Sequence, residues 1–182
     1  LTYTRLSICI ILMMILVNFS YSVPLSGSYN VGSGQTYTTL TGSGAAGFFN
    51  AVNVNGLSGN VTVNITSDIV ETGAITLLQW AGTNTINIIP SSASLKTIFG
   101  NVALPLIDLN GADRVTFDGR FGGSGRYLKF YNSNTGGQTF RFINDASYNT
   151  ITYCIVDGMR VSPTSGIIDF GSTTGTTGND FN

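Results

Sequence analysis

Histidine is absent from all 182 residues, and cysteine occurs only twice, at Cys9 and Cys154. Without imidazole the segment cannot assemble a Ser-His-Asp triad, a Cys-His nucleophile pair or a His-ligated zinc site. Charge is also scarce: 9% of residues are Asp, Glu, Lys or Arg, against roughly 25% in ordinary soluble domains. The net charge of −1 falls to −2 if residues 1–22 are removed, because Arg5 is the only charged residue among them. Nucleic acid and anionic lipid both require a basic patch that this chain lacks. What is abundant is glycine, 23 residues, and an apolar fraction of 42%. Many Gly, Thr, Asn and Ser with few charges point to β structure joined by short polar turns.

The first 22 residues read as an export signal. Arg5 precedes the apolar run Leu6–Val17, and Ser20-Tyr21-Ser22 supplies small residues at the −3 and −1 places of a cleavage site. The run is shorter than the ~20 residues of a membrane span. Cleavage after Ser22 predicts a secreted or cell-surface chain beginning at Val23, with no membrane span left. Only Cys154 then remains, so no intrachain disulfide forms. Lying in ITYCIV with no Lys, Arg or His beside it, it reads as a buried structural thiol.

Residues 61–182 read as short strands. VTVNI (61–65) and TINII (85–89) alternate with period two, and further candidates are 75–80, 104–109, 114–117, 126–131, 139–143, 150–156 and 166–170. The Gly-rich runs GSGQTY and GGSGRY lack the Lys-Ser/Thr of a phosphate-binding loop and read as turns. LIDLNGADRVTFDG (106–119) is echoed by FRFINDASYNTITYCIVDG (140–158), with Asn110 and Asn144 offset by 34 residues; GIIDFG (166–171) begins a third copy in which Asn182 falls where Asn149 stood. Repetition at this period marks a solenoid of stacked units. The chain stops where a further strand is expected, so it reads as the N-terminal part of a longer solenoid, with self-association expected through its uncapped C-terminal end. Residues 23–60, with a short helix expected near Ala45–Val52 and core-grade Phe48, Phe49 and Val52, read as the N-terminal cap.

The phrases YTTLT, FFNAVNVNGLSGNVTVNI, GTNTINIIPSS, LIDLNGADRVTFDG and FINDASYNTITYCIVDG resemble the secreted bacterial right-handed parallel β-helix repeat proteins of the pectate-lyase-like superfold. The resemblance spans residues 24–182 and is nearest to large cell-surface members that often end in a type IX secretion sorting domain, which these residues do not contain. It implies an all-β, right-handed parallel β-helix with a small N-terminal cap. It does not fix activity, because the superfold carries lyases, hydrolases, esterases, adhesins and inert spacers.

Two functional classes follow. One is an exported stalk or adhesin-like module that binds polysaccharide or cell-surface components. The other is a polysaccharide-degrading lyase or glycoside hydrolase, which needs paired carboxylates or a base near the sugar, with Ca²⁺ expected only in the lyase case. No other cofactor or metal is expected. The candidate catalytic acids are Asp108, Asp118 and Asp157; the candidate binding residues are Arg120, Arg126, Arg160 and Trp80. Asp118-Gly119-Arg120 and Asp157-Gly158-Met159-Arg160 echo one another, which predicts acid and base stacked across coils, although Asp-Gly is first a turn signature. Trp80 suits sugar stacking if exposed and core packing if not. Ice binding through threonine ladders is disfavoured, since TTGTTG and TYTTLT do not recur in a regular register.

Overall fold

The structure is a computed structural model that describes residues 22–171, 179, 181 and 182. The predicted leader, Ser22 apart, lies outside them. Strand β1 (Leu25–Val31) and helix α1 (Phe48–Asn55) precede four coils. The first coil holds β2 (Leu57–Ile65), β3 (Ile69–Val70) and β4 (Leu77–Leu78); the second, β5 (Ile86–Pro90), β6 (Lys96–Gly100) and β7 (Ile107–Asn110). The third holds β8 (Val115–Asp118), β9 (Leu128–Asn132) and β10 (Phe140–Ile143); the fourth, β11 (Thr150–Thr152), β12 (Ile155–Gly158) and β13 (Ile168–Phe170).

β1 pairs in parallel with β2, and from β2 to β10 each strand pairs in parallel with the strand three places on, so the chain winds as a right-handed β-helix with three sheets. The first sheet is β1-β2-β5-β8-β11, the second β3-β6-β9-β12 and the third β4-β7-β10-β13. Among the described residues no antiparallel hairpin joins 104–109 to 114–117; β7 and β8 belong to different sheets.

Period-two alternation explains why these segments stack. Every second side chain enters the core, and register aligns like with like: Val63, Ile88, Phe117 and Ile151 form one inward column, and Leu77, Leu109, Phe142 and Phe170 another. At the centre one ring from each sheet meets the others. Phe117, Phe130 and Phe140 are fully buried with centroids 4.8–5.5 Å apart. Each such ring contributes about 1.5–3 kcal/mol by leaving water.

The turns are held by side chains that substitute for strand neighbours. Buried Asn149 accepts from Val115 N and donates to Ala112 O (3.0 and 2.9 Å). Asn182 repeats both contacts one coil on, accepting from Asn149 N and donating to Ala146 O (2.8 and 2.7 Å). The expected correspondence of Asn149 with Asn182 is thus a physical ladder, as is that of Asn110 with Asn144, whose side chains bond at 2.6 Å. Arg114, Tyr148 and Phe181, each preceding Val115, Asn149 or Asn182, all hold positive φ near 56–59°.

At the N-terminal end α1 begins three residues later than expected and buries Phe48, Phe49, Ala51 and Val52. Its Asn53 donates to Thr76 O and accepts from Leu78 N (2.8 and 3.0 Å), closing the edge of β4 as a neighbouring strand would. Buried Glu71 accepts from Leu40 N, Thr41 N and Thr41 Oγ1 (2.6, 2.8 and 2.5 Å), tying residues 40 and 41 over the corner after β3. Burial pushes its carboxyl above the ordinary range, against the pull of these three hydrogen bonds.

The sequence pattern differs from the structure at four places. β1 adds a strand to the first sheet in a region expected to hold only a cap, and β3 and β6 were not anticipated. The expected strand 150–156 is two strands, β11 and β12, separated by a corner at Tyr153 and Cys154.

Candidate functional site

The expected stacking of the two Asp-Gly-containing segments does not occur. Asp118 ends β8 in the first sheet, where its partner across the coil is Thr152, whereas Asp157 lies in β12 of the second sheet, opposite Tyr131. The matching Asp-Gly letters conceal a corner: VTFD pairs with 149–152, and IVDG pairs with KFYN. Both glycines serve close approach. A Cβ at Gly119 would fall 2.0 Å from Tyr153 O, and one at Gly158 would fall 2.7 Å from Thr139 Oγ1.

Each candidate acid is also occupied. Asp108, outward on β7 of the third sheet yet buried, accepts Arg141 Nε and Nη2 at 3.0 and 2.7 Å. Register extends this pair into an Asp108–Arg141–Asp169 column, and the Asp108 carboxylate holds the Arg141 guanidinium above its usual pKa. Asp118 accepts Arg120 Nε and Nη2 (2.9 and 2.7 Å), and this guanidinium holds its carboxyl below the usual range. Arg120 in turn lies 4.6 Å over the Tyr153 ring. Asp157 pairs with Lys129 at 3.3 Å. The three acids therefore lie on three different sheets, each beside its own cation.

The remaining candidates separate as well. Trp80 is buried, 5% exposed, and donates Nε1–H to Asn84 O at 2.9 Å, so it is core and not a sugar platform. Arg126 is exposed on the loop before β9. Arg160 donates to Ser165 Oγ at 2.8 Å and to Gly136 O. Cys154 is part-buried at its corner, with its Sγ 3.5 Å from Phe117 O; burial first, then Asp118, pushes its thiol up to about 12. Among the described residues no group of three or more His, Cys, Asp or Glu could hold a metal ion, and no helix is long and apolar enough to cross a membrane.

What the structure brings together is a row the sequence did not reveal. On the outer face of the first sheet Ser28, Thr62, Asn87, Thr116 and Thr150 stand in register, one from each of five strands. Asn30 and Asn64 begin a second row beside it, joined by a 3.2 Å hydrogen bond. The second sheet presents a contrasting face, with Val70, Phe99, Tyr131 and Asp157 in one outward column. A shallow cavity of about 280 Å³ lies between β1 and the segment that bridges its end at Val31 and Tyr37, lined by Ser28, Tyr29, Asn30, Gln35, Thr36 and Tyr37.

No family model, curated protein or solved structure matches the chain. The fold and the disposition of its side chains therefore carry the functional reading.

Proposed function

We propose that this chain is a rigid, non-catalytic spacing and binding module of an exported protein, presenting its faces to polysaccharide or other components at a cell surface. The observation that supports this reading most is the placement of Asp108, Asp118 and Asp157 on three separate sheets, each paired with a cation. Two carboxyls must flank one glycosidic bond for hydrolysis, and elimination needs an available base beside the sugar. A solenoid instead aligns chemically similar side chains along its axis, which suits repeated weak contacts with a repeating ligand. The apolar run and small residues of 6–22 support export.

Two measurements test this. Incubation with polygalacturonate, alginate, xylan and cellulose, with and without Ca²⁺, is expected to give glycan-bound protein and no new reducing ends or unsaturated products; turnover removed by Asp118→Asn in a folded protein would falsify the non-catalytic reading. Expression with residues 1–22 in place is expected to release a chain beginning at Val23, and retention of the uncut chain in the membrane fraction would contradict export.

A further inference from the structure

We infer that the cavity beside β1 and the row on the first sheet form one continuous site for a neutral, linear polysaccharide lying along the solenoid axis. This inference rests on the binding-module reading above and names its ligand class and location. Ser28 and Asn30 belong both to the cavity lining and to the outward rows, so the cavity opens onto the sheet face without a break. The cavity carries no charged side chain: it offers hydroxyls, amides and the two rings Tyr29 and Tyr37, which pack edge to face at 5.9 Å.

The row that continues from it is likewise uncharged. Its hydroxyl and amide side chains can donate and accept, as sugar hydroxyls do. They recur once per strand, about every 4.8 Å, so a polymer with regularly spaced hydroxyls meets the same partner chemistry at each coil. The charges that flank Thr116 in sequence are paired, Asp118 with Arg120 at 2.7 Å and Arg114 with Asp113 at 3.5 Å. A row without a net cation gives an acidic glycan nothing to pair with. An extended peptide added to β1 is disfavoured, because its ladder is irregular between Leu25 and Gly27, where Gly27 holds φ +81°.

The test is titration of the purified chain with neutral β-1,4-linked glucose, xylose and mannose oligosaccharides of three to six residues, beside oligogalacturonate of equal length. A neutral series is expected to bind with affinity that rises with length and exceeds that for the acidic series. Thr62→Val with Thr116→Val keeps the branched shape on the sheet and removes two hydroxyls, so it should weaken hexasaccharide binding by at least about tenfold. Gln35→Ala, at the cavity, should weaken it too. Both variants should retain the wild-type melting temperature within a few degrees, because none of the three side chains is in the core. Unchanged affinity in the valine pair, preference for the acidic series, or binding only of an extended peptide or of ice would overturn the inference. Retention of glycan through another face would leave the module reading standing, whereas release of cleaved product would remove that reading itself.

Discussion

Single side chains do the work of missing strand neighbours in this molecule, and their removal should show it. Asn149→Ala strips partners from Val115 N and Ala112 O in a buried turn. At roughly 1–3 kcal/mol for each of the two groups left unpaired, thermal or urea unfolding should register a loss of about 2–6 kcal/mol. Asn149→Asp would set a carboxylate against Ala112 O in a buried turn and should be no more stable than the Ala variant at neutral pH; an Ala variant as stable as wild type would show the ladder to be incidental. Glu71 yields a pH signature. Its folded carboxyl titrates above its ordinary value, so the folded state binds the proton more tightly than the unfolded chain does. Its contribution is therefore most favourable below the ordinary value of 4.5 and declines as pH rises through the folded value. The melting-temperature difference between wild type and Glu71→Gln should drift against wild type as pH is raised above 4.5; a flat difference would contradict this. Asp118 has the opposite sign. Its lowered carboxyl lends stability that is present above 3.8 and lost as pH falls toward the folded value.

At the scale of elements, α1 acts as an end stop. Asn53 supplies both the donor and the acceptor that the edge of β4 lacks, and Asn53→Ala should raise amide exchange at Leu78 first, leaving β10 and β13 protected; uniform change across the third sheet would refute a local clamp. How much of this was legible depended on whether a segment obeyed period two. VTVNI, LIDLN and VTFD did, and became β2, β7 and β8. β6 was hidden because its first inward position is Lys96, whose stem is buried while Nζ reaches Ser92 Oγ and Ser94 O at 3.2 and 3.3 Å. β3 has two residues, too few for any pattern, and β1 sets Gly27, Tyr29 and Val31 on one face against Ser28 and Asn30 on the other in a stretch whose turn composition outweighed it. The repeat was visible in Asn110, Asn144, Asn149 and Asn182, which face one another. It misled at Asp118 and Asp157, because identical letters do not reveal a corner at Tyr153 and Cys154. The outer row escaped notice for a related reason: Ser28, Thr62, Asn87, Thr116 and Thr150 are separated by 34, 25, 29 and 34 residues, and unequal coil lengths erase a column that only register restores.

At the scale of the whole molecule, the third and fourth coils differ in cover among the described residues. Inward residues of the third coil are sealed, with Phe140 at 0% exposure, while their fourth-coil partners Ile168 and Phe170 are 36% and 56% exposed. The N-terminal end is blocked by α1 and the segment tied to Glu71. Self-association of the purified chain is therefore expected through the fourth coil of two copies, a face-to-face contact that closes at the dimer. Sedimentation should show a monomer–dimer equilibrium weakened by Phe170→Ser, and open-ended filaments would contradict the blocked end. Everything proposed about the outer faces depends on in-register stacking, and this can be measured directly. With Cys154 replaced by Ala, nitroxide pairs joining position 28 in turn to 62, 87, 116 and 150 should give mean distances that grow by about 4.8 Å per strand crossed. A linear series in that order is the expected result; distances that fail to increase along it would contradict the row, the parallel coils and the binding site built on them.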